Sequence, residues 1–356
     1  MIAKKYYAEA ADESLLDPQV RQQAVPKVGV LLVNLGTPTT PTAKDIRRYL
    51  AEFLSDQRVV ELHPLLWQLI LRGAVLPFRP KKLVPKYQSI WMEQGSPLLI
   101  YSQAQADLLE QQLQQQGLDI PVRLGMRYAQ PAMHQALEEL KDVGCERILM
   151  MPLYPQYAAS TTATAVDELN RYVAMRRNQP ETRYVKSYCQ HPSYIQALVQ
   201  SIERQWAQGP KPQRLLLSYH GIPRRSVSAG DPYYKECMLT TAAVRDALVA
   251  HNVPVFASFQ SRFGAERWLE PYTEPTLRQW AQEGLKSVHV ACPGFLADCL
   301  ETLEEIQMEC HDAFLAEGGQ EFAYIACLND EPQWISGLCD IVLQNLSGWE
   351  LPLKQN

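Results

Sequence analysis

The sequence predicts an α/β fold in two related halves, each a parallel sheet flanked by helices. Short apolar runs alternate with helical stretches along the chain, the pattern of strands joined by crossover helices. A chain of 356 residues is too long for one ordinary domain and suits two. Two strand ends also match: Val33-Asn34-Leu35-Gly36-Thr37-Pro38 and Tyr219-His220-Gly221-Ile222-Pro223 both pass from an apolar run through a polar residue to glycine and proline.

Residues 1–25 read as a polar lead-in, and Val28 to Val33 as the first buried strand. Thr42 caps a helix over Ala43 to Leu54. The stretch 62–78 is dense in large apolar side chains, Leu65, Leu66, Trp67, Leu69 and Ile70 among them, and is closed by Arg79, Lys81 and Lys82. It is either a buried core helix or an apolar lip over a greasy cavity or a membrane surface. Helices follow over Pro97 to Gln115, with Ser96 as N-cap, over Ala132 to Asp142 and over Ser160 to Arg176. Strands fall at Val122 to Tyr128, Arg147 to Leu153 and Arg183 to Tyr188. The second half repeats the plan: strands at Arg214 to Tyr219, Val255 to Ser261, Ser287 to Cys292 and Phe322 to Leu328. Its helices run over Ile195 to Gln208, Tyr234 to Ala250, Thr276 to Glu283 and Leu296 to Leu315, with a last one over Pro332 to Leu346. The break between halves falls near 190–200.

Composition narrows the function. Apolar residues make up 46% and charged residues 21%, which is ordinary globular usage. A net charge of -5 leaves no nucleic-acid footprint. The 8 cysteines show no C-x-x-C spacing, and with no secretion signal they read as reduced thiols in the cytoplasm. No run of 18 apolar residues spans a membrane. Neither G-x-G-x-x-G nor a P-loop occurs, which argues against a dinucleotide dehydrogenase or a P-loop enzyme, and there is no G-x-S-x-G elbow.

Two places carry candidate chemistry. His220 stands where a strand ends and a loop begins, the edge where open parallel sheets bind ligands. A neutral imidazole there takes a proton or holds a metal; the alternative is a histidine that caps a turn. The second place is the helix after Pro293-Gly294. At 100° per residue, Asp298, Glu301, Glu305, Glu309 and Asp312 fall in a sector of about 80°. That line is either a solvated face or a carboxylate ladder for cations or protons. A histidine and a carboxylate facing one cleft can hold a divalent metal with open positions.

These residues belong to motifs that resemble the ferrochelatase family, enzymes that insert ferrous iron into a porphyrin. The likeness runs from about Lys27 to Leu346. It rests, in order, on Val33 to Pro38, Gly125-Met126-Arg127-Tyr128, Leu153-Tyr154-Pro155-Gln156-Tyr157 with Ser160-Thr161-Thr162, and Ser218 to Pro223. Gly230-Asp231-Pro232-Tyr233, Phe259-Gln260-Ser261-Arg262-Phe263-Gly264 with Trp268-Leu269, and Asp298-Cys299-Leu300-Glu301-Thr302-Leu303 complete the series.

The resemblance implies two Rossmann-like domains, 26–195 and 196–331, with the active-site cleft between them, and a C-terminal segment 332–356 packed back on the first. It implies that His220 and Glu301 contact the iron or take the pyrrole protons, with Asp298 and Glu305 on a proton or metal relay helix. It places Leu35, Arg127, Tyr128, Tyr157, Gln260 and Trp268 around the porphyrin, Arg127 near its propionates, and makes 62–78 the pocket's lip. Iron and porphyrin are then substrates, and no prosthetic group is needed. Members with an iron–sulfur cluster carry a cysteine where this chain has Ala159 and more cysteines near the C-terminus, whereas none follows Cys339 here, so no cluster is expected. Cys299 stands where some members have histidine, which leaves that position without a metal-relay role. The apolar lip favours protoporphyrin, with two propionates. Coproporphyrin, a cobalt chelatase activity on a corrin precursor, and a non-enzymatic tetrapyrrole or metal carrier are the alternatives. A monomer, with peripheral contact to the inner face of the cell membrane, completes the expectation.

Overall fold

The computed structural model describes residues 26–264 and 266–353; the lead-in expected over 1–25 lies outside them. Two separate four-stranded sheets form, and every strand pair is parallel. The first contains β1 (Lys27–Asn34), β2 (Val122–Met126), β3 (Cys145–Pro152) and β4 (Glu181–Tyr184), in the order β2-β1-β3-β4. The second contains β5 (Arg214–His220), β6 (Val255–Gln260), β7 (Ser287–Ala291) and β8 (Glu321–Ile325), in the order β6-β5-β7-β8. The two orders are the same, so β1 and β5 are equivalent interior strands. Both are apolar runs because both faces are covered. Their ends, Asn34 and His220, are the matching strand ends of the sequence.

The helices are α1 (Ala43–Phe53), α2 (Pro64–Ile70), α3 (Leu76–Ile90), α4 (Pro97–Gln115), α5 (Met133–Asp142) and α6 (Thr164–Ala174) in the first half. Then come α7 (Pro192–Trp206), α8 (Arg224–Ser228), α9 (Tyr233–Ala247), α10 (Thr273–Gln282), α11 (His311–Ala316) and α12 (Pro332–Asn345). Helix α12 packs on α4 and α7. One apolar core runs through both sheets, from Val30 and Leu32 to Leu217 and Trp334. The halves are also bonded to each other: the Gln105 amide donates to the Leu296 and Asn329 carbonyls.

Three segments wind as π-helix rather than α: Leu71–Val75 between α2 and α3, Ala159–Ala163 before α6, and Leu300–Cys310 before α11. The sequence pattern foresaw none of them. The helix expected to start at Leu296 starts at Leu300 instead, and the helix expected to begin at Ser160 becomes α only at Thr164. Helix α3 continues through Pro80 and Pro85, well past the lip.

Candidate active site

His220 is the last residue of β5. Beyond it the chain must pass between the end of β6 and an indole. A Cβ on Gly221 would lie 2.9 Å from the Gln260 carbonyl oxygen and 3.1 Å from Trp268, so glycine is needed for the close approach. The His220 Nδ1 lies 2.6 Å from the Gly221 carbonyl oxygen. A carbonyl only accepts, so Nδ1 carries the hydrogen, and in the neutral ring Nε2 keeps a free lone pair. Trp268 and Phe295 wall the imidazole, at ring separations of 6.2 and 6.4 Å.

The π-helical segment Leu300–Cys310 faces it. The Gln260 amide, at the end of β6, donates to the Glu301 carbonyl at 2.6 Å and accepts from the Ser218 hydroxyl at 2.6 Å. Gln260 is buried and pins the start of this helix to the strand ends. The Glu305 carboxylate accepts from the Ser261 N–H at 2.6 Å and the Ser261 hydroxyl at 2.5 Å. Burial pushes the Glu305 carboxyl above its ordinary value; the Ser261 bonds and the nearby His220 imidazole pull against that, and the Glu301 charge adds to it. Glu305 therefore sits within electrostatic reach of both His220 and Glu301. Among the described residues no group of three or more His, Cys, Asp or Glu side chains converges to hold a metal ion.

The acidic line does not extend as the 100° arithmetic implies. Asp298 lies before the helix and is buried. It accepts from Tyr324 at 2.5 Å, Asn329 at 2.7 Å and Thr302 at 3.0 Å, a closed structural knot rather than a rung beside Glu301. Glu309 turns away to Lys86, and Asp312 lies at the surface, bonded to His311.

Helix α2 presents Leu65, Leu66, Leu69 and Ile70 to solvent, the first and third 74% exposed. Four of the five residues named for the lip are thus exposed. Trp67 departs from this: helical periodicity turns it inward, where it is buried and donates from its indole to the Leu54 carbonyl at 2.6 Å. Beneath it an apolar cluster joins Tyr49, Tyr87 and Tyr128 with half-buried Leu35 and Leu300, so Leu35 and the start of the carboxylate helix share one wall.

Arg127 is not a free cation. It pairs with Asp56 at 2.7 Å, bonds Thr164 and stacks over the Tyr128 ring at 4.5 Å. Tyr128 is buried and gives its hydroxyl to the same carboxylate at 2.9 Å. A cavity of about 780 Å³ opens beside this pair, lined by Asp56, Arg58, Arg127, Tyr128 and Asp167 but by neither His220 nor Glu301. Tyr157 lies under Lys186 and is bonded through its N–H to Glu236. The cation beside Glu301 is Arg79, over the Phe263 ring at 4.2 Å; burial lowers its pKa, and the Tyr87 and Glu301 charges oppose that. Arg79 reads in sequence only as the basic end of the lip, and Tyr49 and Tyr87 carry no signal at all. Phe295 does, because it follows a Pro-Gly turn at a strand end.

Two like-ordered parallel sheets, with a strand-end imidazole opposite carboxylates on a later helix, define the class: a protein of the chelatase fold. The solved structure of SirB from Bacillus subtilis with Fe3+ superposes with a TM-score of 0.53 at 13% identity, covering 90% of this chain and 96% of that one. SirB from Bacillus subtilis subspecies spizizenii, a sirohydrochlorin chelatase in complex with cobalt, gives 0.52 at 13% identity, covering 90% and 95%. Sequence comparison goes further. The ferrochelatase family model matches residues 27–346. A ferrochelatase of Bordetella pertussis is 51% identical over 346 residues, 97% of this chain and 96% of that protein. One of Chromobacterium violaceum is 48% identical over 336 residues, 94% and 92%. The chain belongs to the ferrochelatase family.

Proposed function

We propose that the protein inserts Fe(II) into protoporphyrin to give haem with release of two protons. One observation carries this reading: an imidazole with its Nε2 lone pair free lies between aromatic walls within electrostatic reach of Glu305, which also neighbours Glu301. The macrocycle is apolar and binds by burial. Its two pyrrole hydrogens must leave before iron is held, and a bent ring exposes the nitrogen lone pairs, so the cleft is complementary to the bent form rather than the flat substrate. The His220 Nε2 accepts a pyrrole proton. Glu301 contacts the metal or takes the second proton. Glu305, its carboxyl raised by burial, carries protons outward. Four pyrrole nitrogens become the ligands of the product, so the protein need supply only one or two on the way in. Arg79 is better placed than Arg127 to meet a propionate, since Asp56 already neutralises Arg127.

The exposed leucines of α2 favour protoporphyrin over the more carboxylated coproporphyrin, and suit peripheral docking at the inner face of the cell membrane by a cytoplasmic monomer. No helix among the described residues is long and apolar enough to cross a membrane. Ala159 in place of a cluster cysteine supports working without an iron–sulfur cluster.

The test mixes purified protein, Fe(II) and either porphyrin under anaerobic conditions and follows the haem spectrum. Protoporphyrin should be converted faster. His220→Ala should lose at least about 100-fold in turnover. Glu301→Gln should lose most turnover yet still quench porphyrin fluorescence. Porphyrin binding with no haem from the wild-type chain would make it a carrier, and normal turnover by His220→Ala would remove the proposed base.

A further inference from the structure

Lys86 ties the lip to the carboxylate helix. It lies on α3, beside Tyr87 and two turns beyond Arg79, both of which face Glu301. Its ammonium reaches both oxygens of Glu304, at 2.8 and 3.0 Å, and Glu309 at 2.7 Å. The Glu304 side chain is only 11% exposed. Burial raises its carboxyl pKa; Lys86 draws it down and Glu309 works the other way.

The geometry of this bridge depends on the winding. Residues five apart in an α-helix stand about 140° apart around the axis. In a π-helix, which bonds i to i+5 and has about 4.4 residues per turn, they stand only about 50° apart. Glu304 and Glu309 are five apart within the π segment Leu300–Cys310, so the winding brings two like charges together under one ammonium. Glu301 and Glu305 ride on the same segment. Each residue turns further in α than in π, so rewinding would swing Glu301 away from its present direction.

We infer that Lys86 is a positioning residue: by bridging Glu304 and Glu309 it holds the π winding that aims Glu301 and Glu305 into the cleft, and it fastens the lip helix to that segment. The inference rests on the proposed iron insertion for its kinetic consequence, but the pinning itself is testable without it.

The experiment uses the full chain as wild type, Lys86→Met, Lys86→Arg, Glu301→Asp and the double variant Lys86→Met/Glu301→Asp. Amide exchange over residues 300–310 should rise about tenfold in Lys86→Met while β5 is unchanged. Turnover should fall about tenfold with the porphyrin KM within about twofold, because an interaction acting on the reacting geometry changes kcat. Lys86→Arg should recover to within about threefold of wild type. In the Glu301→Asp background the Lys86→Met loss should shrink below about twofold, since the two changes act on one carboxylate. Unchanged exchange over 300–310 in Lys86→Met overturns the inference. So does a loss that multiplies in full with Glu301→Asp, or a Lys86→Arg enzyme as slow as Lys86→Met at equal Tm. A wild-type chain that forms no haem would defeat the proposed function instead, and the exchange result would still decide the pinning.

Discussion

Replacing Asp56 by Asn should cost about 3 kcal/mol of stability at neutral pH. Its Oδ2 accepts from Arg127 at 2.7 Å, the Tyr128 hydroxyl at 2.9 Å and the Thr164 hydroxyl at 2.5 Å, while Oδ1 accepts from the Arg58 N–H at 2.7 Å. The Arg127 and Asp56 side chains are 11% and 12% exposed. Breaking a buried pair costs about 3–5 kcal/mol because a charge is left without its partner; slight exposure and the acceptor that Asn retains put this case at the lower end. One core runs through both sheets, so the chain is treated as one cooperative unit. With about 2.1 cal/mol/K per residue over 356 residues, the loss lowers Tm by about 4 °C. The pH dependence separates charge from packing. Burial pushes the Asp56 carboxyl up, but the donors from Thr164, Arg58 and Tyr128 and the Arg127 charge outweigh it and hold it below its ordinary 3.8. A depressed folded pKa stabilises fully above the unfolded value and is lost as pH falls through the folded one. The wild-type advantage should therefore be constant from neutrality down to about 3.8 and close below it. Thermal melts of both proteins across that range are the assay. A gap that stays the same at every pH would refute the charge argument, and no gap at neutrality would refute the pairing itself.

Two further outcomes follow from the site. Leu65→Gln and Leu69→Gln should each change stability by less than about 0.5 kcal/mol, because both side chains are already 74% exposed. If the porphyrin covers these leucines, each change should weaken its binding about tenfold by fluorescence quenching; unaltered binding would take them out of the pocket. Glu305→Gln should raise Tm at neutral pH while lowering turnover. A carboxyl raised by burial gives stability that is complete below the unfolded pKa and fades as pH rises through the folded one, so the wild-type chain should show that slope and the variant should lack it. A variant less stable than wild type at neutrality would mean that the Ser261 bonds outweigh the burial.

The interior strands were legible because burial on both faces leaves little choice of residue. Leu215 to Leu217 and Val30 to Val33 are uninterrupted apolar runs, and each is fully buried. The matching strand ends also pointed to two halves, which the common sheet order bears out. His220 could be found because a strand end followed by Gly-Ile-Pro admits few geometries. The lip was harder, since an apolar stretch looks the same whether it lies under protein or under solvent. Leu65 and Trp67 differ by two residues, yet one is exposed and the other buried. Edge strands were less well bounded: β4 spans Glu181–Tyr184, earlier than the expected Arg183 to Tyr188, because an edge strand with half-exposed residues has no apolar run to delimit it.

Charge partners and winding were the least legible because both are settled by distant residues. Arg127 reads as a free cation until a carboxylate 71 positions earlier is placed against it. The acidic helix shows the same dependence. A period of 100° per residue groups Glu301, Glu305 and Glu309 on one stripe. The observed winding keeps Glu305 within reach of the imidazole and of Glu301 but sends Glu309 to join Glu304 under Lys86, 218 residues from Glu304 in sequence. Nothing local in Leu-Glu-Thr-Leu-Glu-Glu-Ile favours π over α, and an isolated peptide of this sequence gains nothing from the less common form. The stabilisation comes from outside the segment: Gln260 holds the Glu301 carbonyl, Ser261 holds Glu305, and Lys86 draws Glu304 and Glu309 together. A carboxylate site held by three such distant anchors is written in the sequence, but only jointly, and a reading that takes one helix at a time leaves Glu309 beside Glu305 instead of beside Glu304.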